Sequence, residues 1–502
     1  MRSPNILFIL ADDLGWCDLG VGGSDFYESP NIDRIAKDGM QFTQGYAACQ
    51  VCSPSRASIL TGKYSPRHGI TDYIGGPSGE AWRAQHRFSK MLPPTYERRL
   101  RPCEITFAEV LRQSGYRTFF AGKWHVGGED AGPEQFGFEI AKHGFDKGGL
   151  RYFSPWPNAN VEPASEGECL AMRLARETAQ FITQHREEPF LAYLSFHHVH
   201  SPIQTTRERW EKFRNKAIAK GKPDRRFSFD RNLPVRQVQD CPIYAGMVEA
   251  MDDAVGLVLD TLDKHGLSEN TVVCFTSDNG GVSSGDAYSS SMLPLRGGKG
   301  RQWEGGIREP LYFRIPKVIK AASTCRIPVS GIDLYPTFLE FAGLPVPSEQ
   351  VIDGKSIVSL LEGHQDKGMA ERDLFWHYPH YANQGGDPSS IIRSGPWKLI
   401  HYYEDGHDEL YNLELDPGEQ SDRLADNSAK ASQLRQRLDN WLVEVEAKFP
   451  VPDPEYDPEK ERARLYALEH EFMPKLEVEH SRYLDPDWQP DKDWWGSQIT
   501  TD

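Results

Sequence analysis

The stretch NILFILADDLGW (5–16) sets an unbroken apolar run, Ile6 to Ala11, directly against two acids, Asp12 and Asp13. An unbroken run is the pattern of a strand buried on both faces; a strand with one wet face alternates instead. Four further runs share this character: YRTFFAG (116–122), PFLAYLSF (189–196), TVVCFTS (271–277) and PLYFRIP (310–316). Helical patterns lie between them, in TFAEVLRQSG (106–115), ECLAMRLARETAQFITQH (168–185) and YAGMVEAMDDAVGLVLDTLDKHG (244–266). This alternation predicts an α/β fold, a large mainly parallel sheet sandwiched by helices, over residues 1–368.

The pattern changes after SIVSLLEGHQDKG (356–368). RDLFWHYP (372–379) and SSIIRSGPWKLIHYYEDGHDELYNL (389–413) read as antiparallel strands around tight turns, followed by a long helix over 428–448. They predict a smaller C-terminal α+β subdomain with an antiparallel sheet at 369–450. Residues 451–502, charged and rich in proline and tryptophan (Trp488, Trp494, Trp495), form a tail. It reads as a partly ordered surface segment in preference to a wrapping strap.

The totals exclude several partners. With 57 basic and 73 acidic residues the net charge is −16, which opposes nucleic acid and anionic membranes. No run of 18 apolar residues exists to span a bilayer. A leader removed ahead of residue 1 would place the chain in the periplasm or outside the cell; a native Met1 would place it in the cytoplasm.

Ligands of parallel sheets collect beyond the carboxyl ends of the strands. The first predicted strand ends in Asp12 and Asp13, the fourth in Asp278 and Asn279. A single aspartate there is ordinarily a turn or cap residue. Three carboxylates and an amide converging would instead repel without a cation, and an all-oxygen set suits calcium or magnesium rather than zinc.

ACQVCSPSRASILTG (48–62) poses a second question, because Cys49 and Cys52 stand in C-x-x-C spacing. Eight cysteines in 502 residues require no disulfide framework, and no second pair or histidine cluster at zinc-ligand spacing accompanies these two. From Cys52 onward, however, the segment has the form C-x-P-S-R-x-x-x-L-T-G, which resembles the signature of the type I sulfatases. NILFILADDLGW, AGKWHVGG (121–128), FHHVHSP (196–202), FTSDNGG (275–281) and LRGGKGRQWEGGIREP (295–310) resemble further blocks of that family, in the family's order. PWKLI (396–400) and ELYNLELDPGE (409–419) resemble its C-terminal subdomain. The pattern is closest to bacterial carbohydrate and arylsulfatase A-like sulfatases.

The resemblance implies an alkaline-phosphatase-like fold and a sulfuric ester hydrolase. It implies that a maturation enzyme oxidises Cys52 to Cα-formylglycine, which stands as a geminal diol. One hydroxyl attacks sulfur; the other collapses to the aldehyde and expels sulfate, a release step that serine lacks. It further implies one calcium ion held by Asp12, Asp13, Asp278, Asn279 and the modified Cys52, with Arg56, Lys123, His125 and Lys299 around the sulfate. His125 would deprotonate the second hydroxyl; His200 and Lys299 would protonate the leaving alcohol. The family's Ala-Pro-His is His198-Val199-His200 here, and Pro202 sets the register on His200.

For the substrate, the segment Thr71 to Cys103 mixes aromatics with Arg83, Arg87, Lys90, Arg98, Arg99 and Arg101, as a sulfated glycan site would and as an ordinary solvated loop would. Asp72, His377 and His380 are candidate partners for sugar hydroxyls. A sulfated poly- or oligosaccharide is the expected substrate. The alternatives are small aryl sulfates, a phosphonate or phosphodiester, or a non-catalytic glycan-binding relative.

Overall fold

A computed structural model describes residues 3–85, 88–145, 151–156 and 165–490. Nine strands form the main sheet: β1 (Asn5–Ala11), β2 (Met40–Tyr46), β3 (Arg117–Lys123), β4 (Ile140–Phe145), β5 (Phe190–Ser195), β6 (Thr271–Ser277), β7 (Arg308–Arg314), β8 (Ser323–Cys325) and β9 (Val329–Ser330). Their order is β8–β2–β7–β6–β1–β5–β3–β4, with β9 beside β2. Only β7 runs antiparallel to its neighbours; the other pairings are parallel. The apolar run at 310–316 therefore starts two residues early and points the other way from its neighbours. The run MQFTQGY of β2 escapes the apolar-run criterion because it lies near the sheet margin, with only four of its seven residues buried.

β1 shows how the sheet is held. Leu7, Ile9 and Ala11 enter one core with helices α1 (Pro30–Lys37), α4 (Leu170–Gln184) and α5 (Pro242–Lys264). Ile6, Phe8 and Leu10 enter the other with α2 (Cys52–Thr61), α3 (Phe107–Gln113) and α6 (Leu334–Phe341). Successive side chains of a strand face opposite ways, so a strand between two helix layers has no polar face. All six of these side chains are fully buried, at about 1.5–3 kcal/mol for each large one.

A second, antiparallel sheet, β10 (Asp373–Tyr378), β11 (Ser389–Ser394), β12 (Trp397–Tyr402) and β13 (Asp408–Asn412), carries α7 (Ser428–Glu444) on one face. Lys398 ties this sheet to the first. Its ammonium lies 3.2 Å from Glu304 and 2.8 Å from Glu419, and all three side chains are fully buried. The Tyr46 hydroxyl donates to the far oxygen of Glu304 at 2.6 Å. A buried ion cluster of this kind fixes relative position more than it adds stability.

The tail is helical, with most of its side chains exposed or half-buried, and is anchored at a few points. Helices α8 (Pro458–Ala467) and α9 (Met473–Arg482) lead to a packed turn where Trp210 donates to the Tyr483 carbonyl at 3.0 Å and lies 5.7 Å from the Trp488 ring. Arg226 pairs with Glu477 at 3.1 Å. The tail to residue 490 is thus a strap, while Trp494 and Trp495 lie outside the described residues. Among the described residues no helix is long and apolar enough to cross a membrane.

Candidate active site

The carboxyl ends of β1, β3, β5 and β6 meet the N-terminus of α2, and the predicted site residues gather there. Asp12 and Asp13 follow β1, Asp278 and Asn279 follow β6, and Lys123 closes β3. One carboxylate oxygen each from Asp12, Asp13 and Asp278 can be chosen so that all lie within 4.8 Å of one another. Cys52 opens α2, and Arg56, one helical turn on, shares its face.

Arg56 holds the strand ends together. Its Nε donates to Asp278 Oδ2 at 2.7 Å, its Nη1 donates to the Lys123 carbonyl at 2.9 Å and to Ser195 Oγ at 2.7 Å, and its Nη2 lies 3.5 Å from Asp12 Oδ1. Lys123 Nζ donates to Asp12 Oδ2 at 2.7 Å. Lys299 Nζ donates to Asp13 Oδ2 at 2.9 Å and stands 3.0 Å from His200 Nε2. The His200 Nδ1 sits 2.6 Å from the Ser201 carbonyl, so Nδ1 carries the proton and Nε2 accepts from the lysine. All these side chains are essentially buried.

The electrostatics are those of a matched set. Burial alone would raise Asp13, but Lys299, His200 and Lys123 hold its carboxyl well below the usual range. Burial pushes Asp278 up against the pull of Arg56. Burial disfavours charge on Lys123, yet Asp12, Cys52 and Asp278 together outweigh it and keep the ammonium charged. Burial, then Lys123 and Arg56, drive the His125 ring well below its ordinary value, so it is neutral at neutral pH. His125 has φ of 55°, and its buried ring faces the Ile74 backbone.

Polar atoms without hydrogen bonds mark where the site could take a ligand. Asn279 Oδ1 is a buried acceptor without a hydrogen bond among the described residues; Asp12 Oδ1 and Arg56 Nη2 make none either and face each other only at ion-pair distance, 3.5 Å. Such atoms are rare and ask for a ligand. Unmatched oxygens beside three carboxylates suit a hard divalent cation; the unmatched guanidinium nitrogen suits an oxyanion. The three carboxylates already face Arg56, Lys123 and Lys299, so a divalent cation would leave the pocket with two surplus positive charges. An anionic ester is then drawn in locally against the net charge of −16.

Burial pushes the thiols of both Cys49 and Cys52 up to about 12. A redox C-x-x-C needs a lowered thiol, so that reading has no support here.

A family model described as "Sulfatase" matches residues 4–344, and one described as "N-sulphoglucosamine sulphohydrolase, C-terminal" matches 299–448. The chain belongs to the sulfatase family. It is 32% identical to a protein named "Sulfatase" from Formosa agariphila, over 89% of this chain and 90% of that one. It is 30% identical to steryl-sulfatase of Mus musculus, over 75% of this chain and 68% of that one. The solved structure of Ps i-CgsB in complex with k-i-k-neocarrahexaose superposes with a TM-score of 0.72 at 26% identity, over 95% of this chain and all of that one. The protein is therefore a sulfuric ester hydrolase with the fold of bacterial sulfatases.

The structure of this sulfatase separates the other candidates. His198 turns away, with its Nε2 3.8 Å from Cys169 Sγ and its ring against Tyr152, so His200 alone of that pair reaches Lys299. His377 is tied to Ser390 Oγ and the Lys448 carbonyl, which makes it a packing residue rather than a sugar partner. His380 bonds Thr71 at 2.9 Å, and Asp72 accepts from Tyr378 at 2.7 Å. The basic segment is largely neutralised by acids from outside it: Arg83 pairs with Asp453 and Glu455, Lys90 with Glu404, Arg99 with Asp130 and Arg101 with Glu104. Arg98 bonds the Gly76 carbonyl, and Arg87 lies outside the described residues. Ser195, which sequence reading passed over, bridges Arg56 and the Lys123 carbonyl. It lies one residue inside the end of the predicted run 189–196, paired with Leu10 in the sheet.

Proposed function

We propose that this sulfatase removes sulfate from a sulfated carbohydrate, using Cys52 matured to formylglycine hydrate as nucleophile beside a calcium ion held by Asp12, Asp13, Asp278, Asn279 and the modified residue 52. What carries the reading is the gathering of three carboxylates, the unmatched Asn279 oxygen and the buried cations Arg56, Lys123 and Lys299 around Cys52 at the head of α2. The bound cation supplies charge that polarises a sulfate oxygen and lowers the nucleophile's pKa.

The chain's own residues do the rest. Arg56, Lys123 and Lys299 stabilise charge on the sulfate oxygens and exclude free rotation of the bound ester. His125, held neutral by burial beside Lys123 and Arg56, accepts the second diol proton. Lys299 gives a proton to His200 Nε2, which passes it to the leaving oxygen, while the His200 Nδ1 proton stays on the Ser201 carbonyl. Cys52 and all of α2 are buried, so the maturation enzyme must read Cys-x-Pro-x-Arg before the chain folds.

A small apolar alcohol is the second reading, favoured by the 30% identity to steryl-sulfatase. The polar lining near Lys299, with Asp286, Gln384, Asn383 and Tyr73, supports a sugar instead. A panel of defined sulfated sugars, a sterol sulfate, p-nitrophenyl sulfate and a phosphodiester tests this. Sulfated sugars should give the highest kcat/KM; preferred release of phosphate, or of sulfate from the sterol, would overturn it. In the same panel His200→Ala should lose about 10²–10⁴-fold on sugar sulfates and far less on p-nitrophenyl sulfate, whose leaving group needs no proton. An equal loss on both would remove His200 from the proposed role.

A further inference from the structure

A second carboxylate stands at Lys299. Asp286 Oδ2 lies 4.0 Å from Lys299 Nζ, inside ion-pair range, with its side chain 7% exposed. It is no part of the Asp12–Asp13–Asp278 cluster. Asp286 has φ of 45° and Tyr288 has φ of 47°, so the loop that presents it holds two non-glycine residues in the left-handed region. Strain of this kind persists only where surrounding contacts over-determine it.

Those contacts come from the loop between β10 and β11. Gln384 Nε2 donates to Asp286 Oδ2 at 2.6 Å, while the Gln384 carbonyl accepts from Ser284 Oγ at 2.6 Å and from Arg301 Nε at 3.0 Å. Asn383 Nδ2 donates to the Tyr73 hydroxyl at 3.1 Å. Two glycines with positive φ make the approach possible. A Cβ on Gly285 would lie 3.0 Å from the Asn383 carbonyl, and one on Gly300 would lie 2.6 Å from Ala382 Cβ and 2.8 Å from Gln384 Oε1. The loop of the second sheet is thereby laid over the residues that flank Lys299.

We infer that Asp286, oriented by Gln384, is the specificity residue for the leaving alcohol, accepting a hydrogen bond from a hydroxyl next to the sulfated position and rejecting a second sulfate there. This rests on the carbohydrate reading above. In the proposed mechanism Lys299 and His200 face the leaving oxygen, so a carboxylate 4.0 Å beyond Lys299 meets the leaving group's neighbouring substituent. A hydroxyl there gives its proton to the carboxylate in a charge-assisted bond. A sulfate at the same place sets two anions side by side. The chemistry selected is a sulfate ester flanked by a free hydroxyl.

The test is the ratio of kcat/KM for a sugar monosulfate with a free vicinal hydroxyl to that for its vicinal disulfate. The parent enzyme should favour the monosulfate by at least ~10-fold, since close like charges cost several kcal/mol. Asp286→Asn keeps the shape, and asparagine tolerates the positive φ, so the variant should fold. It should lower the ratio ~10-fold by losing on the monosulfate and gaining on the disulfate. A parent ratio near one, or an Asp286→Asn variant that slows both substrates alike, overturns the inference and leaves the carbohydrate reading standing. A parent that hydrolyses p-nitrophenyl sulfate and neither sugar overturns both.

Discussion

Cys52→Ser should fold, bind substrate and fail to turn over, with sulfate release at least ~10⁴-fold below the matured enzyme. The side chain is buried at the first turn of α2 and a serine fits its volume, so packing gives no reason for unfolding. Arg56 still spans Asp278, the Lys123 carbonyl and Ser195, so the sulfate end of the pocket survives. What the variant lacks is the second hydroxyl. A serine that attacked sulfur would be left as a stable sulfate ester, with no neighbouring group to expel the anion. Sulfate release and calorimetric binding of a substrate separate the two effects: affinity within a few-fold of the parent, turnover gone. Substantial turnover by the serine variant would mean that the diol is not needed.

Chelation is the second large effect. Stripping divalent metal should abolish turnover while leaving the chain folded, because Arg56, Lys123 and Lys299 already balance the three carboxylates. Calcium added back at about a thousandfold excess over Kd should stabilise the fold by about 4 kcal/mol, read as a rise of several degrees in Tm. Asp12→Asn should lose most of that rise, since it neutralises a carboxylate whose Oδ1 has no hydrogen bond among the described residues. A rate and a Tm indifferent to chelator and to calcium would remove the metal from the account.

The parallel sheet was legible because β1, β3, β5 and β6 are buried on both faces and write that burial as unbroken apolar runs. β2 was not, because its mixed burial admits Gln41, Thr43 and Gln44. The acids at the strand ends were legible from position alone, whereas Ser195 shares that position without a charge to mark it. Asp286 had no local signal: it meets Lys299 and Gln384 only because Gly285 and Gly300 let two distant loops touch. The basic segment misled in the opposite way, since its partners Asp453 and Glu455 come from the tail, hundreds of residues on.

The measurement closest to the central claim is mass spectrometry of the peptide spanning Cys52, from active protein made together with a formylglycine-generating enzyme. The account predicts the mass decrease of a CH2–SH group becoming CHO, with the aldehyde captured by a hydrazide. A free Cys52 thiol in a preparation with full sulfatase activity would contradict it.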